Sequence, residues 1–455
     1  MNKKIVSTLL LYFLALQTNA QCWKDISVGL NHSKALKTDG TLWSWGGNFF
    51  GQLGNGTIDS FGTKIPIKIG INADWKIISS GSSHTIALKN DGSLWAWGDN
   101  GNGQLGDNSY TDRLTPTQIG SSTDWTNISA YRLSTLALKD DGSLWAWGDN
   151  FSGQLGDDTN IGKNMPIQIG FDTDWKTLSN GFSDHVMVLK NNGTLWGWGS
   201  NSYGQLGDGS NDDRYSPIQI GSSSNWKIVS TGMFHTVALK NDGSLWAWGD
   251  NGNGQLGNGT GLSKNSPTQI GTDKDWKNIS AGGQFNLAIK NDGSLWAWGT
   301  NNFGELGDGT NTKRFTPVRI GIDTDWVSID TSNNNSFAIK QNNSLWSWGA
   351  NGNGMMGDGT TISKNSPTLV SCSGSLATTD VVSSSVKIYP NPAKEYFSIN
   401  SKKINNVQLY SLDGKLVKEY SVSEKYPVNG LAKGIYTIKV QLENGKVISE
   451  KIIKE

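Results

Sequence analysis

Cysteine and histidine are scarce, with two and four copies in 455 residues. A Cys-rich zinc module cannot be assembled from so few ligands. Charge is sparse as well. Asp, Glu, Lys and Arg make up 17% of the chain, below the roughly 25% of an average soluble protein. The 39 basic residues equal the 39 acidic ones, so no basic excess points to nucleic acid. No apolar run reaches the roughly 18 residues of a spanning helix, and no transmembrane segment is expected in the mature chain. Gly (57) and Trp (21) are abundant instead. The apolar content is ample for a buried core, which argues against disorder.

The first twenty residues read as a secretory signal peptide. Lys3 and Lys4 precede a mostly apolar stretch from Ile5 to Leu16, and small residues Thr18 and Ala20 lead to Gln21. Cleavage is expected between Ala20 and Gln21. A lipid anchor on Cys22 is the rival, but Asn19, Ala20 and Gln21 are the wrong residues before it.

A repeat fills most of the remaining chain. Leu-Trp-x-Trp-Gly begins at Leu42, Leu94, Leu144, Leu195, Leu245, Leu295 and Leu345, in steps of 52, 50, 51, 50, 50 and 50 residues. Each copy adds one upstream Trp, from Trp23 to Trp326, which accounts for all 21. A fixed period of this size means a solenoid or a propeller. Within residues 75–119 four short segments rich in β-branched and aromatic residues read as strands. Asn90-Asp91-Gly92 supplies a hairpin turn between the second and third. Four antiparallel strands per copy make a blade, and seven blades close a ring. The two indoles of Trp-x-Trp share one side of their strand and are expected to fill the space between blades.

The run Gly81-Ser-Ser-His84 through Trp97-Gly98, with Gly103-Gln-Leu-Gly106 and Pro116, resembles the repeat of the regulator of chromosome condensation family over about residues 23–371. The resemblance implies a seven-bladed β-propeller. It does not imply nucleotide exchange on a nuclear GTPase. A signal peptide removes the chain from that partner, and the even spacing leaves no room for an inserted wedge. Light sensing by Trp, as in a plant relative, is not expected, because every Trp has a framework place.

Residues 373–385 are rich in Ser and Thr and read as a linker after a propeller at 21–372. From Val386 Trp disappears. Tyr389-Pro-Asn-Pro392, Leu431-Ala-Lys-Gly-Ile-Tyr436 and Lys451-Ile-Ile-Lys-Glu455 resemble the C-terminal sorting domain of the type IX secretion system of Bacteroidota. That implies a small Ig-like β-sandwich at 386–455, contact with the secretion machinery, and export through the periplasm and across the outer membrane. The fold class is therefore all-β throughout. Residues 386–455 hold 12 Lys against 7 acids, whereas residues 21–385 hold 25 basic against 32 acidic residues. An acidic propeller works against nonspecific nucleic-acid binding.

Candidate chemistry is thin. Gly101–Gly106, Gly252–Gly257 and Gly352–Gly357 match a dinucleotide fingerprint by letter, but turn residues and Pro follow where the motif needs a helix. No cofactor is expected. His32, His84, His185 and His235 share one repeat position, replaced by Ser134, Phe285 and Asn335 elsewhere. A framework hydrogen bond explains them better than metal or catalysis. The Asp- and Asn-rich loops could collect calcium, though not with the spacing of an ordered calcium loop. A cation precedes the Pro of every repeat copy by two or three positions: Lys64, Arg113, Lys163, Arg214, Lys264, Arg314 and Lys364. Ion pairs within each blade are expected there, with a cation ring for an anionic ligand as the alternative.

The sequence also places a disulfide and a binding face. Cys22 starts the first blade and Cys372 ends the last, so a disulfide between them replaces the missing connector and closes the ring. The binding surface is expected on the face carrying the first-to-second and third-to-fourth strand loops, because there the copies differ. Its inner loops carry Tyr131, Arg132, Phe182, Met233 and Phe234, and its outer loops Phe49, Phe50, Phe151, Tyr203 and Phe303. Such side chains suit a protein interface. The expected protein is a secreted or cell-surface, non-catalytic binding propeller with an extracellular protein ligand. A glycan-binding, lectin-like propeller and an enzyme with an unrecognised site are the alternatives.

Overall fold

Each repeat copy folds as four antiparallel strands paired in sequence order. In the second blade these are Trp75–Ser80, His84–Lys89, Leu94–Gly98 and Arg113–Gln118. The computed structural model describes residues 22–181, 183–372, 388–399, 404–411, 415–442 and 447–455, and every element in them is a strand. The signal peptide, the Ala20–Gln21 cleavage site and the linker lie outside the described residues. The chain divides after Gly374 into two compact units.

In the first unit the seven first strands line a central channel of about 330 Å³. Successive pairing therefore puts the fourth strands, the most exposed of each blade, at the rim. Alternation along the third strand directs both indoles of Trp-x-Trp to one side. The second of them, as Trp97 or Trp147, is fully buried. Trp75 meets Trp95 and Trp97 with centroids 5.9 and 6.1 Å apart, and the arrangement recurs in all seven blades. Edge-to-face contacts of this kind contribute about 0.5–1.5 kcal/mol beyond area burial. The Lys that ends each second strand caps the cluster. Lys89 Nζ stands 4.4 Å from the Trp95 centroid and 3.4 Å from Asp74.

Blades interlock through one repeated contact. The Trp97 indole N–H donates to the Gln52 carbonyl of the preceding blade at 3.0 Å, and Trp147 does the same to Gln104. Gly54 and Gly106 follow at positive φ, and a Cβ on either would come within 2.7 Å of the indole nitrogen. That close approach accounts for the second Gly of Gly-Gln-Leu-Gly.

Ring closure reuses the same contact. Trp45 donates to the Met355 carbonyl of the last blade at 2.8 Å. Cys22 and Cys372 form a disulfide across a separation of 350 residues, and Lys37 Nζ donates to the Cys372 carbonyl at 2.9 Å. A third closing link lies in the channel wall. In other blades a first-strand Ser accepts the N–H of its neighbour, as Ser79 does from Ala130 at 2.8 Å. Asp330 takes that place in the last blade and accepts Val28 N–H at 2.8 Å.

Two copies depart from the pattern. Blade four has one extra residue before His185, and its first strand breaks after Leu178. Asn180–Gly181 then pairs in parallel with Ser230–Thr231 of blade five. In blade one, Lys34 occupies the core position held by Ile86, Leu136 and Val237 elsewhere. It is fully buried, and its Nζ donates to Ser44 Oγ at 2.8 Å and to the Gln52 carbonyl.

The second unit packs two antiparallel sheets. One orders Ile388–Tyr389, Tyr396–Ile399 and Tyr426–Pro427; the other orders Leu416–Tyr420, Ile404–Tyr410, Gly434–Leu442 and Val447–Lys454. Phe397, Val407, Tyr426, Ile438 and Ile452 form their shared core.

Candidate ligand-binding face

The outer loops, between third and fourth strands, owe their shape to a buried Asn. Asn100 Nδ2 donates to Asp107 Oδ1 and to the Ser109 and Thr111 carbonyls, each at 3.1 Å, while Leu105 N–H donates to Asn100 Oδ1 at 3.0 Å. Asn48, Asn150, Asn201, Asn251, Asn301 and Asn351 repeat the role. The loop oxygens that suggested calcium thus converge on an amide nitrogen. Each loop also reaches the next blade's rim strand. Gly209 N–H donates to the Asn265 carbonyl and Gly309 N–H to the Asn365 carbonyl, both at 2.8 Å. This backbone is pinned at both ends, so the side chains it presents are displayed on a fixed frame.

Phe49, Phe50, Phe151, Tyr203 and Phe303 all stand exposed on these loops, Phe151 at 81%. Their neighbours are the inner loops of the following blade, and contacts across the seam pair like with like. Tyr203 stacks against Phe234 with centroids 4.8 Å apart. Asn253 donates to Gln284 at 2.9 Å and Asn353 to Asn31 at 3.0 Å in the equivalent places.

The inner arc differs from expectation. Tyr131 is not part of an exposed patch; it is fully buried. In blades one, two and five a Gly packs directly on the His three residues later, as Gly81 does on His84. Blade three reverses the pair, with Tyr131 in the Gly place and Ser134 in the His place. The aromatic ring therefore arrives from residue 131, and its hydroxyl contacts the Ser179 carbonyl and Oγ of blade four at 2.9 and 2.7 Å. Burial pushes its pKa above the ordinary Tyr value. Phe234 is half-buried because of its stack on Tyr203, and Met233 is half-buried beside it. Arg132 is exposed and pairs with Asp184 at 3.0 Å. Phe182 lies outside the described residues. Of these residues the structure joins Tyr203 to Phe234 across one seam; the other outer-loop aromatics stand on separate blades, Arg132 pairs with Asp184, and Tyr131 belongs to the core.

The four His are interior. His84 and His185 hydrogen-bond Thr135 and Thr236 of the next blade at 3.2 and 2.9 Å, and His235 meets Asn286 at 2.9 Å. Burial lowers the pKa of His84 and His185 to about 3 and of His235 to about 4. They are neutral framework groups. In the channel wall, burial raises Asp330 to about 7, helped by nearby Asp25.

Four of the rim cations pair within their blades: Arg113 with Asp107, Lys163 with Asp157, Arg214 with Asp208 and Arg314 with Asp308. Lys64, Lys264 and Lys364 form no ion pair among the described residues. On the opposite face the blade connectors hold a feature that their uniform Asp-Trp endings conceal in the sequence. Ile71, Phe171 and Ile322 are 91, 96 and 87% exposed.

Comparison with known proteins agrees with this architecture. The RCC1-like domain family matches residues 7–229 and 122–387, and the secretion system C-terminal sorting domain matches residues 387–455. The ultraviolet-B receptor UVR8 of Arabidopsis thaliana is 30% identical over 226 residues, covering 47% of this chain and 50% of the receptor. This chain spans half or less of the length of the curated relatives it matches. Among solved structures, human WBSCR16 superposes with a TM-score of 0.66 at 21% identity, over 73% of this chain and 94% of that one. Prp20p of Saccharomyces cerevisiae gives 0.66 at 22% identity, over 81% and 90%. The chain belongs to the RCC1-like domain family and carries a type IX secretion C-terminal sorting domain at its end.

Proposed function

We propose that this is a non-catalytic binding propeller, exported by way of its sorting domain, which engages an extracellular ligand through the loop face. One observation carries the reading. Five aromatic side chains, Phe49, Phe50, Phe151, Tyr203 and Phe303, are exposed on outer loops held by buried Asn anchors. The anchors repeat in every blade and the displayed residues do not, which is how a rigid scaffold carries a specific surface. The interior placement of all four His supports a binding role over acid–base catalysis.

The ligand class follows from the neighbours of those rings. A protein ligand fits the arc of Arg132, Met233 and Phe234, and a propeller of the same fold, Prp20p, is described as binding Gsp1p and histones. Burial of Tyr131 and the Tyr203–Phe234 stack reduce that arc. Half-exposed amides, Asn31 with Asn353 and Asn253 with Gln284, take the equivalent places at two other seams, and Asn31 lies close to Phe49 beside Gly47. Rings beside amides suit sugars, and the glycan reading is favoured.

The test is retention of the purified chain on surface material from the producing culture. The variant Phe49→Ala/Phe50→Ala/Phe151→Ala should lose retention and keep its melting temperature. The connector-face variant Ile71→Ala/Phe171→Ala/Ile322→Ala should bind normally. Loss in the connector variant alone would move the site to the other face.

A further inference from the structure

We propose that the rim of the loop face holds two equivalent subsites for acidic sugar residues, at the seams between blades four and five and between blades six and seven. The proposal rests on the loop-face reading and names its ligand more closely.

A groove of about 280 Å³ lies between the outer loop of blade six and the rim strand of blade seven. Phe303 provides an apolar wall. Asn311, Asn365, Ser363, Ser366, Thr368 and Lys364 provide amides, hydroxyls and an ammonium. An aromatic face for the C–H side of a pyranose, polar groups for its hydroxyls and one cation for a carboxylate form a complementary set for an acidic sugar.

The same set occurs once more, two blades earlier. The rim strand of blade five reads Ser263-Lys264-Asn265-Ser266-Pro267-Thr268, identical to Ser363-Lys364-Asn365-Ser366-Pro367-Thr368. The facing loop presents Tyr203 for Phe303 and Asn211 for Asn311. The framework bonds coincide. Asn211 donates to the Ser202 carbonyl at 3.3 Å where Asn311 donates to that of Asn302 at 3.0 Å. Asn265 and Asn365 donate to the Gly209 and Gly309 carbonyls at 2.9 Å.

Other seams lack part of the set. At the residue after the cation, Leu114, Tyr215 and Phe315 pack against the facing loop's Gly51, Gly153 and Gly254. The blade-three strand has Asn164 there, but its facing loop carries Asn102 and Tyr110 where the other two seams carry an aromatic ring and then an Asn, and its cation Lys163 is held by Asp157. In blade one Lys64 itself takes the place of that Asn, packing on Gly354 and accepting from Gly359 N–H, and the facing residue is again an Asn, Asn353.

The cations separate in the same way. Arg113, Lys163, Arg214 and Arg314 are held by their own Asp. Asn258 replaces that acid beside Lys264. Asp358, beside Lys364, accepts from Asn351 and Thr360 as Asp308 does from Asn301 and Thr310, but Lys364, unlike Arg314, forms no ion pair among the described residues. Glu305, beneath Phe303, accepts the N–H groups of Asn302 and Phe303. The two lysines are thus left for an external anion, and their duplication favours a polymer that spans both subsites.

The experiment measures binding of the full chain to polygalacturonate and to its fully methyl-esterified, neutral form. Binding should be stronger to the acidic polymer and should weaken with salt. Lys264→Gln/Lys364→Gln should remove the preference for the acidic form. Tyr203→Ala/Phe303→Ala should abolish binding to both. Phe303→Ala alone should lower the apparent affinity at least about tenfold through lost bivalency. Melting temperatures identify any misfolded variant, and the lysine pair tests the proposal without touching the core. No binding by the wild-type chain, or undiminished binding by the aromatic double variant, would overturn it. If the Phe49/Phe50/Phe151 variant still loses retention on culture material in that event, the loop-face reading survives and only the acidic-sugar subsites fall.

Discussion

The hydroxyl of Tyr131 lies 2.7 Å from Ser179 Oγ, joining the third blade to the fourth from inside the core. Tyr131 is therefore a packing residue on a face that otherwise displays its aromatics. Tyr131→Ala should destabilise the propeller by about 3–5 kcal/mol, the usual cost of emptying a large aromatic site. Arg132→Ala, next to it, removes an exposed ion pair and should cost no more than about 1 kcal/mol. Denaturant unfolding followed by Trp fluorescence measures both.

The repeat pattern showed the blades, their number and the ring in advance, because a 50-residue period and three Trp per copy leave little freedom. The fate of single loop residues was harder to read. Tyr131 looked like surface decoration; only its pairing with Ser134 betrays it, since the copy that lacks the His must find a ring elsewhere. The Tyr203–Phe234 stack crosses a blade seam, and a pattern within one copy does not report on that contact. Nor do the connectors announce Ile71, Phe171 and Ile322, which occupy a position held by Ser121 and Ser222 in other copies.

Ring closure by Cys22 and Cys372 gives a second expectation. Chain entropy for a loop of this length sets an upper bound of roughly 5–6 kcal/mol on the disulfide's contribution. Cys22→Ser/Cys372→Ser should still fold, held by the Trp45–Met355 and Asp330–Val28 bonds, but should melt well below the wild type. Unchanged melting would show that those bonds suffice.

Lys34 offers a substitution that should stabilise. Its buried ammonium donates only to neutral acceptors, Ser44 and the Gln52 carbonyl, among the described residues, and burial holds its pKa well below the ordinary value. Lys34→Ile, the residue of the next blade, removes a charge from an apolar layer and should raise the melting temperature. A lower melting temperature would mean that the hydrogen bonds outweigh the cost of burying the charge.

Stability should depend on pH through two opposed terms. The four His have folded pKa values below the unfolded value near 6.5. Their contribution is complete above about pH 6.5 and is lost as pH falls toward 4, because the unfolded chain binds protons that the fold refuses. Asp330 runs the other way. Raised to about 7 from 3.8, it contributes fully at pH values below its unfolded pKa and loses that contribution as pH rises through 7. Asp330→Ser, restoring the residue found in six blades, should thus gain on the wild type between about pH 5 and pH 8. His84→Phe, which borrows the Phe285 solution, should soften the loss of stability below about pH 6. Thermal melts across roughly pH 4–9 decide both.

The central claim is that the loop face meets the ligand, and a footprint tests it most directly. The full chain is labelled by hydroxyl radicals with and without surface material from the producing culture, and protection is read by mass spectrometry. The account predicts protection at Phe49, Phe50, Phe151, Tyr203 and Phe303, and unchanged labelling at Ile71, Phe171 and Ile322. Protection confined to those three connector residues, with the outer-loop aromatics still labelled, would contradict it.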